Sequence, residues 1–378
     1  MKKIHWHIIF VFTSFVFFAS CKPDEPDVAA QRVLLVYMVG DSNNLDGDCI
    51  DKTEAMMKGF QASPGNKLLI YTDNGFAPSL VEITNKNGTN IKRHVNTYSD
   101  ETNSADPAVL KKIIDEVKAK FPAQAYGLVL FSHGTGWLPK GTYKNPRTIF
   151  QDKEQEMELP DFADAIPDGM FDYIVIEACF MAGIEVAYEL KDKTDYIVAS
   201  SAEIVSPGFL YAYEHGMDYL FSSTPDLVKF TELAFDDLNR THASATFSII
   251  KTEGLDDLTA FVRGNCQWIE ESVDFTRVQD FKGTGHYNLF FDFEDFYSQL
   301  LPDEQLKNEL SKLINNCLVE KMATEYLFGN YFNRFKINHH SGFTTYIPRS
   351  NLYNYLNGQY TGTKWYTAIH PPTNSKKQ

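Results

Sequence analysis

The chain has 378 residues, of which 43% are hydrophobic and 14% aromatic; this is enough for one large core or two domains and excludes a disordered protein. Its net charge of −15 excludes a surface built for nucleic acid, because phosphate binding needs clustered Lys and Arg. Acidity is compatible with basic partners, although alone it supplies mainly solubility.

The first residues read as a targeting segment. Lys2 and Lys3 precede an apolar run from Ile8 to Phe18 that is too short to span a bilayer comfortably. Phe18-Ala19-Ser20-Cys21 resembles a bacterial lipobox, with Phe where Leu is usual. Residues 1–20 are therefore expected to be a lipoprotein signal peptide, with Cys21 as the lipidation site and 21–31 as a polar tether. The protein would then be exported and lipid-anchored to the bacterial outer membrane or cell surface; a plain secretory peptide is the alternative. Of the other cysteines, Cys49, Cys179, Cys266 and Cys317 follow no metal or disulfide spacing, although one Cys266–Cys317 bridge is compatible with an oxidising compartment.

Val33 to Val39 is a continuous apolar run, the pattern of a strand buried on both faces. A polar turn from Gly40 to Asp46 leads into a helix near Lys52 to Phe60, and Lys67 to Tyr71 is the next strand. Two alternating runs between Leu80 and Val95 predict a hairpin around Asn87-Gly88. Asp106-Pro107 opens a helix, with Asp as N-cap and Pro in the first turn, and Leu110, Ile113, Ile114, Val117 and Phe121 form one apolar stripe. Tyr126 to Phe131 is a third buried strand, ending in Ser132-His133-Gly134. Residues 135–157 carry no periodicity and read as a long exposed loop of the functional kind.

Tyr173 to Ile176 predicts another buried strand, stopping at Glu177-Ala178-Cys179, with a helix expected to begin at once. Asp195 to Ser200 and Ala245 to Ile250 are further strands. Thr224-Pro225 is expected to cap a helix through Leu238, and Leu255 to about Ile269 is another helix. Strands alternating with helices predict an α/β fold, a mostly parallel six-stranded sheet with helices on both faces, over residues 32–273. Residues 274–378 change character, with an amphipathic helix from Leu306 to Leu318 and a strand from Gly342 to Pro348, and are expected to be a smaller C-terminal packing domain.

A cysteine at the carboxyl end of a buried strand sits where open α/β sheets place their ligands, and a helix N-terminus there would favour thiolate. A buried structural cysteine is the alternative reading of that stretch. If the strands ending in His133 and Cys179 are neighbours, thiolate and imidazole emerge at one sheet edge, the two groups that covalent acyl transfer needs. The N–H groups of Gly134 and Cys179 are then candidate oxyanion donors. Nucleophile-elbow, zinc-peptidase and dinucleotide-binding patterns do not occur, and the adjacent His339 and His340 would face opposite ways on a strand.

The phrases Tyr126 to Trp137 and Asp172 to Met181 resemble the clostripain family of cysteine peptidases, which share the caspase-like fold. So do Val33 to Leu45, Ser201-Ala202-Glu203 with Pro207-Gly208 and Tyr211, and Ser341 to Pro348, in the family's order. The resemblance implies a Cys179–His133 dyad and cleavage of peptide bonds after Arg or Lys, hence protein or peptide substrates with basic residues. The family usually has Asp two residues before the nucleophile, contributing to the basic-residue pocket; here it is Glu177, whose alternative role is a structural salt bridge. Glu203 and Trp137 are further candidates for substrate contact. The resemblance also implies a zymogen that cuts itself in the 135–157 loop, with Arg147 as the preferred site. No cofactor is required, although calcium is possible, with oxygens from Asp41 to Asp48. A non-catalytic, peptide-binding surface lipoprotein of the same fold is the competing reading.

Overall fold

The computed structural model describes residues 30–40, 45–142, 148–153, 155–267, 272–282, 288–331, 333–350 and 353–371. The chain begins with β1 (Ala30–Val39), α1 (Asp46–Gly59), β2 (Asn66–Asp73), β3 (Ser79–Lys86) and β4 (Thr89–Thr97). Then come α2 (Pro107–Lys120), β5 (Ala123–Phe131), β6 (Phe150–Asp152), β7 (Gln155–Met157) and α3 (Leu159–Ala165). The middle runs through β8 (Phe171–Glu177), α4 (Ile184–Leu190), β9 (Thr194–Ala199), α5 (Leu210–Phe221), α6 (Leu227–His242), β10 (Thr246–Lys251) and α7 (Leu255–Asn265). The last part holds β11 (Phe291–Asp292), α8 (Phe293–Gln299), α9 (Glu304–Asn316), β12 (Leu318–Ala323), β13 (Tyr326–Leu327) and β14 (Phe335–Lys336). It ends with β15 (Thr344–Thr345), α10 (Asn354–Tyr360) and α11 (Lys364–Ile369).

One nine-stranded sheet organises these elements, in the order β12-β10-β9-β8-β5-β1-β2-β3-β4. The five inner strands β2-β1-β5-β8-β9 are parallel, as the continuous apolar runs predict. Both sides are extended by antiparallel strands, β3 and β4 beyond β2, and β10 and β12 beyond β9. The sheet is thus mixed and larger than the six strands expected. The hairpin forms at Asn87-Gly88, where both residues have positive φ, 53° and 84°, as a tight twisted turn demands.

Side chains alternate across the sheet and fill two apolar layers. Val33, Leu35 and Tyr37 of β1 join the layer on one face, and Leu34, Val36 and Met38 join the other. On β8, Ile174 and Ile176 face the first layer, while Tyr173 and Val175 face the second, which holds residues of α1, α5 and α6. Asp106 caps α2 through the Ala108 N–H as expected, but α6 is capped by Asp226, which accepts from the Lys229 N–H, and not by Thr224-Pro225. The 135–157 loop contains the small β6–β7 hairpin. Residues beyond 274, read as a packing domain, supply the sheet's edge strand β12, and Phe293, Phe343, Tyr346 and Trp365 lie in the same buried layer as β1 and β5.

Candidate active site

β5 and β8 are adjacent and parallel, and their last paired residues are Phe131 and Glu177. His133 and Cys179 each lie two residues beyond that pair, so they leave the sheet at one edge on neighbouring strands. The two loops are in close contact. A Cβ on Gly134 would stand 2.8 Å from the Ala178 Cβ and 3.0 Å from the Cys179 carbonyl oxygen, an approach only glycine permits. His133 and Cys179 are both half-buried, neither sealed in the core nor loose on the surface. The Ile204 N–H points at the Cys179 Sγ from 3.4 Å, which sets a backbone donor against the sulfur.

The chain after Cys179 departs from the sequence expectation. α4 begins at Ile184, not directly after the cysteine, so its N-terminus does not start at the thiol. A turn at Phe180 follows instead, and residues 180–183 are pinned from two sides. The Phe180 N–H donates to the Ala202 carbonyl and the Ala182 N–H to Ser200, while the Ala182 carbonyl accepts from Thr344. Phe180 has φ of 62°, a left-handed conformation that is costly for a residue with a Cβ. Its ring stacks on Phe290 at 4.3 Å, a contact that helps to hold the turn. β15 is therefore a short clamp on the cysteine loop, and the strand expected over 342–348 covers only two residues there.

Cys49, Cys266 and Cys317 form no disulfide, so the Cys266–Cys317 bridge does not exist, and burial pushes each of these thiols up to about 12. None of the three is poised as a nucleophile at neutral pH.

The clostripain-family model matches residues 36–357, which includes both loops of the site. The chain belongs to the clostripain family. Clostripain of Hathewaya histolytica is 28% identical over 216 residues, 48% of this chain, and the match spans only 41% of that longer protein. The crystal structure of an inactive zymogen C11 protease from Parabacteroides distasonis superposes with a TM-score of 0.80 at 31% identity, covering 90% of this chain and 99% of that one. A secreted C11 cysteine protease from Bacteroides thetaiotaomicron, solved with an irreversible peptide inhibitor, gives a TM-score of 0.80 at 26% identity over the same shares. The expected caspase-like fold is thus the fold of this clostripain-family chain.

Two of the expected substrate contacts are buried in this structure. Glu177 is buried on the α1 and α5 side of the sheet, in the layer that β8 side chains of its parity face. Its Oε1 binds the Lys52 Nζ at 2.7 Å and accepts the Phe209 N–H at 2.7 Å, and its Oε2 accepts the Tyr213 hydroxyl at 2.7 Å. The salt-bridge alternative describes it; the carboxylate is spent inside the protein. Trp137 is likewise buried, packed against Tyr346 and Tyr360 with ring centroids 5.0 and 5.1 Å away, so it fastens the C-terminal segment. Glu203 stays beside the site, half-buried and directly before Ile204. Arg147 and Cys21 lie outside the described residues, as do 41–44 of the proposed calcium ligands, whereas Asp46 and Asp48 sit in the first turn of α1.

Sequence reasoning gave Lys52 no role and did not foresee the contact between Ser201 and His340. Lys52 was an ordinary helix lysine in sequence; in the fold it is buried against Glu177, donates to the Pro207 carbonyl at 2.7 Å and covers the Phe131 ring at 4.6 Å. His340 bonds the buried Ser201 hydroxyl at 3.0 Å next to the residues that hold Phe180, and burial brings its imidazole down to about 4. His339 faces the other way, toward Asp292 and Asp295, whose hydrogen bonds raise it to about 10. Asp292 also accepts from the N–H groups of Glu294, Asp295 and Ser341, so its carboxylate is anchored to the backbone beside the histidine.

Proposed function

We propose that this chain is a cysteine endopeptidase in which Cys179 is the nucleophile and His133 the acid–base. The carrying observation is the β5–β8 register, with Phe131 opposite Glu177 and both functional residues two positions further on. In the first half-reaction the Cys179 Sγ forms a bond to the peptide carbonyl carbon, and the oxyanion is received by the N–H groups of Gly134 and Cys179. His133 gives its proton to the departing amine as the C–N bond breaks. In the second, His133 takes a proton from water, which attacks the thioester and releases the thiolate. Two side chains and two amides complete this cycle, so no cofactor is required; a calcium effect would act on the loop before α1.

The related zymogen supports a second part of the reading, that the chain is made as a precursor and cuts itself within the 135–157 loop. Export follows from the basic and apolar N-terminus together with the secreted relative, and a lipid on Cys21 would be its anchor. The preference for Arg or Lys that the resemblance implies stays part of this reading, with Glu177, the acid expected to provide it, paired to Lys52. The test compares purified wild type with Cys179→Ala on fluorogenic peptides and on denaturing gels. Hydrolysis and chain cleavage in the wild type only are expected; equal rates in the two proteins end the peptidase reading.

A further inference from the structure

The β5–β8 ladder ends at Phe131 and Glu177, so the geometry of the loops beyond it comes from what packs on them. One side chain reaches both loops. Phe290 stacks on Phe180, the residue after Cys179, with ring centroids 4.3 Å apart and planes 10° apart. It also closes on the histidine loop. A Cβ at Gly136, three residues after His133, would stand 3.2 Å from the Phe290 ring and 2.8 Å from the Phe180 carbonyl oxygen. Phe290 is only 2% exposed, so it supports the loops from behind. Its own place is fixed by the C-terminal half of the chain. The Phe281 N–H donates to the Phe290 carbonyl at 2.9 Å, and the next residues, Phe291 and Asp292, pair with Thr345 and Thr344 of β15. Thr344 in turn donates its N–H to the Ala182 carbonyl. The segment that enters β11 therefore grips the cysteine loop twice, through a ring at Phe180 and through β15 at Ala182.

We propose that Phe290 is a positioning residue: its flat face keeps Phe180 in the left-handed turn that aims the Cys179 sulfur and N–H at the scissile carbonyl. The inference rests on the peptidase reading above. A φ of 62° is unfavourable for a residue with a Cβ, and relaxation of Phe180 to an ordinary φ would re-aim the peptide that joins it to Cys179. The transition state needs nucleophile and oxyanion donor closely placed, whereas binding of the substrate does not. Loss of the stacking face therefore lowers kcat and leaves KM in place. Phe290 acts through Phe180 and does not touch the reacting atoms.

The test measures kcat and KM on fluorogenic peptides ending in Arg or Lys, for the full-length wild type and for variants whose circular dichroism shows them folded. Phe290→Leu keeps the bulk but loses the flat face, and its kcat should fall about tenfold or more with KM within about threefold. Phe180→Gly adopts the left-handed φ without strain and removes the stacking partner. On that background, adding Phe290→Leu should change kcat by less than about threefold, because the two residues then have nothing left to share. Should Phe290→Leu not fold, Phe290→Met, whose chain adapts to irregular gaps, takes its place under the same criteria. An unchanged kcat in the single variant overturns the proposal. So does an equal loss on both backgrounds, which is what a general packing defect would give, or a loss confined to KM. Those results require an active wild type. A wild type that hydrolyses no peptide ends the peptidase reading, and this proposal with it.

Discussion

Glu177 and Cys179 are two residues apart, yet one belongs to the core and the other to the solvent edge. Glu177 is the last residue of β8, so sheet alternation still governs it and turns it under α1 and the start of α5, where Lys52, Phe209 and Tyr213 consume its oxygens. Cys179 has left the ladder, and its direction is set by the turn at Phe180 and by bonds to Ala202 and Thr344. The comparison teaches that two residues apart at a strand end need not share an environment. The face of the sheet decides it for one, and the turn beyond the ladder for the other.

The sharpest break of the comparison is on the exposed side. Cys179→Ala should lower peptide hydrolysis by about 10³-fold or more, read as kcat/KM, because the covalent route is lost. On the buried side, Lys52→Met leaves a carboxylate in the core without its cation and should cost about 3–5 kcal/mol in urea unfolding. Adding Glu177→Gln should restore most of that loss, and a double variant no more stable than the single one would contradict the assignment of the pair. Gly134→Ala tests the contact between the two loops. Its methyl would press on Ala178 and the Cys179 carbonyl, so a roughly 10–100-fold fall in kcat/KM is expected. Stability should drop by no more than about 1–3 kcal/mol.

The smallest effect concerns pH. His339 is raised to about 10 by Asp292 and Asp295, above the ordinary histidine value of 6.5. The fold therefore holds the protonated form: this stabilisation is complete below about pH 6.5 and fades as pH rises through 10. Melting temperatures measured from pH 6 to 10 should decline less in His339→Gln than in the wild type. Parallel declines would show that the ion pair does not matter.

Much of this was legible. The runs at Val33 to Val39, Tyr126 to Phe131 and Tyr173 to Ile176 are apolar on both parities, and such runs become inner strands of a parallel sheet. Asn87-Gly88 marked its hairpin because few residue pairs accept two positive φ values in succession. β12 was not legible: Leu318 to Ala323 is rich in helix formers, and it becomes a strand only because β10 offers an open edge. Trp137 misled because a polar, glycine-rich neighbourhood suggested exposure, while Tyr346 and Tyr360 arrive from more than 200 positions later to bury it.

The sequence by itself determined the inner strands, the two strand ends that carry His133 and Cys179, and the family, because these depend on local hydrophobic pattern and on motifs within a few residues. The tertiary structure alone decided the mixed edges of the sheet, the clamp on the cysteine loop and the partner of Glu177. Those depend on which distant groups meet: Lys52 and Glu177 are 125 residues apart, and no local pattern records that their charges are buried together.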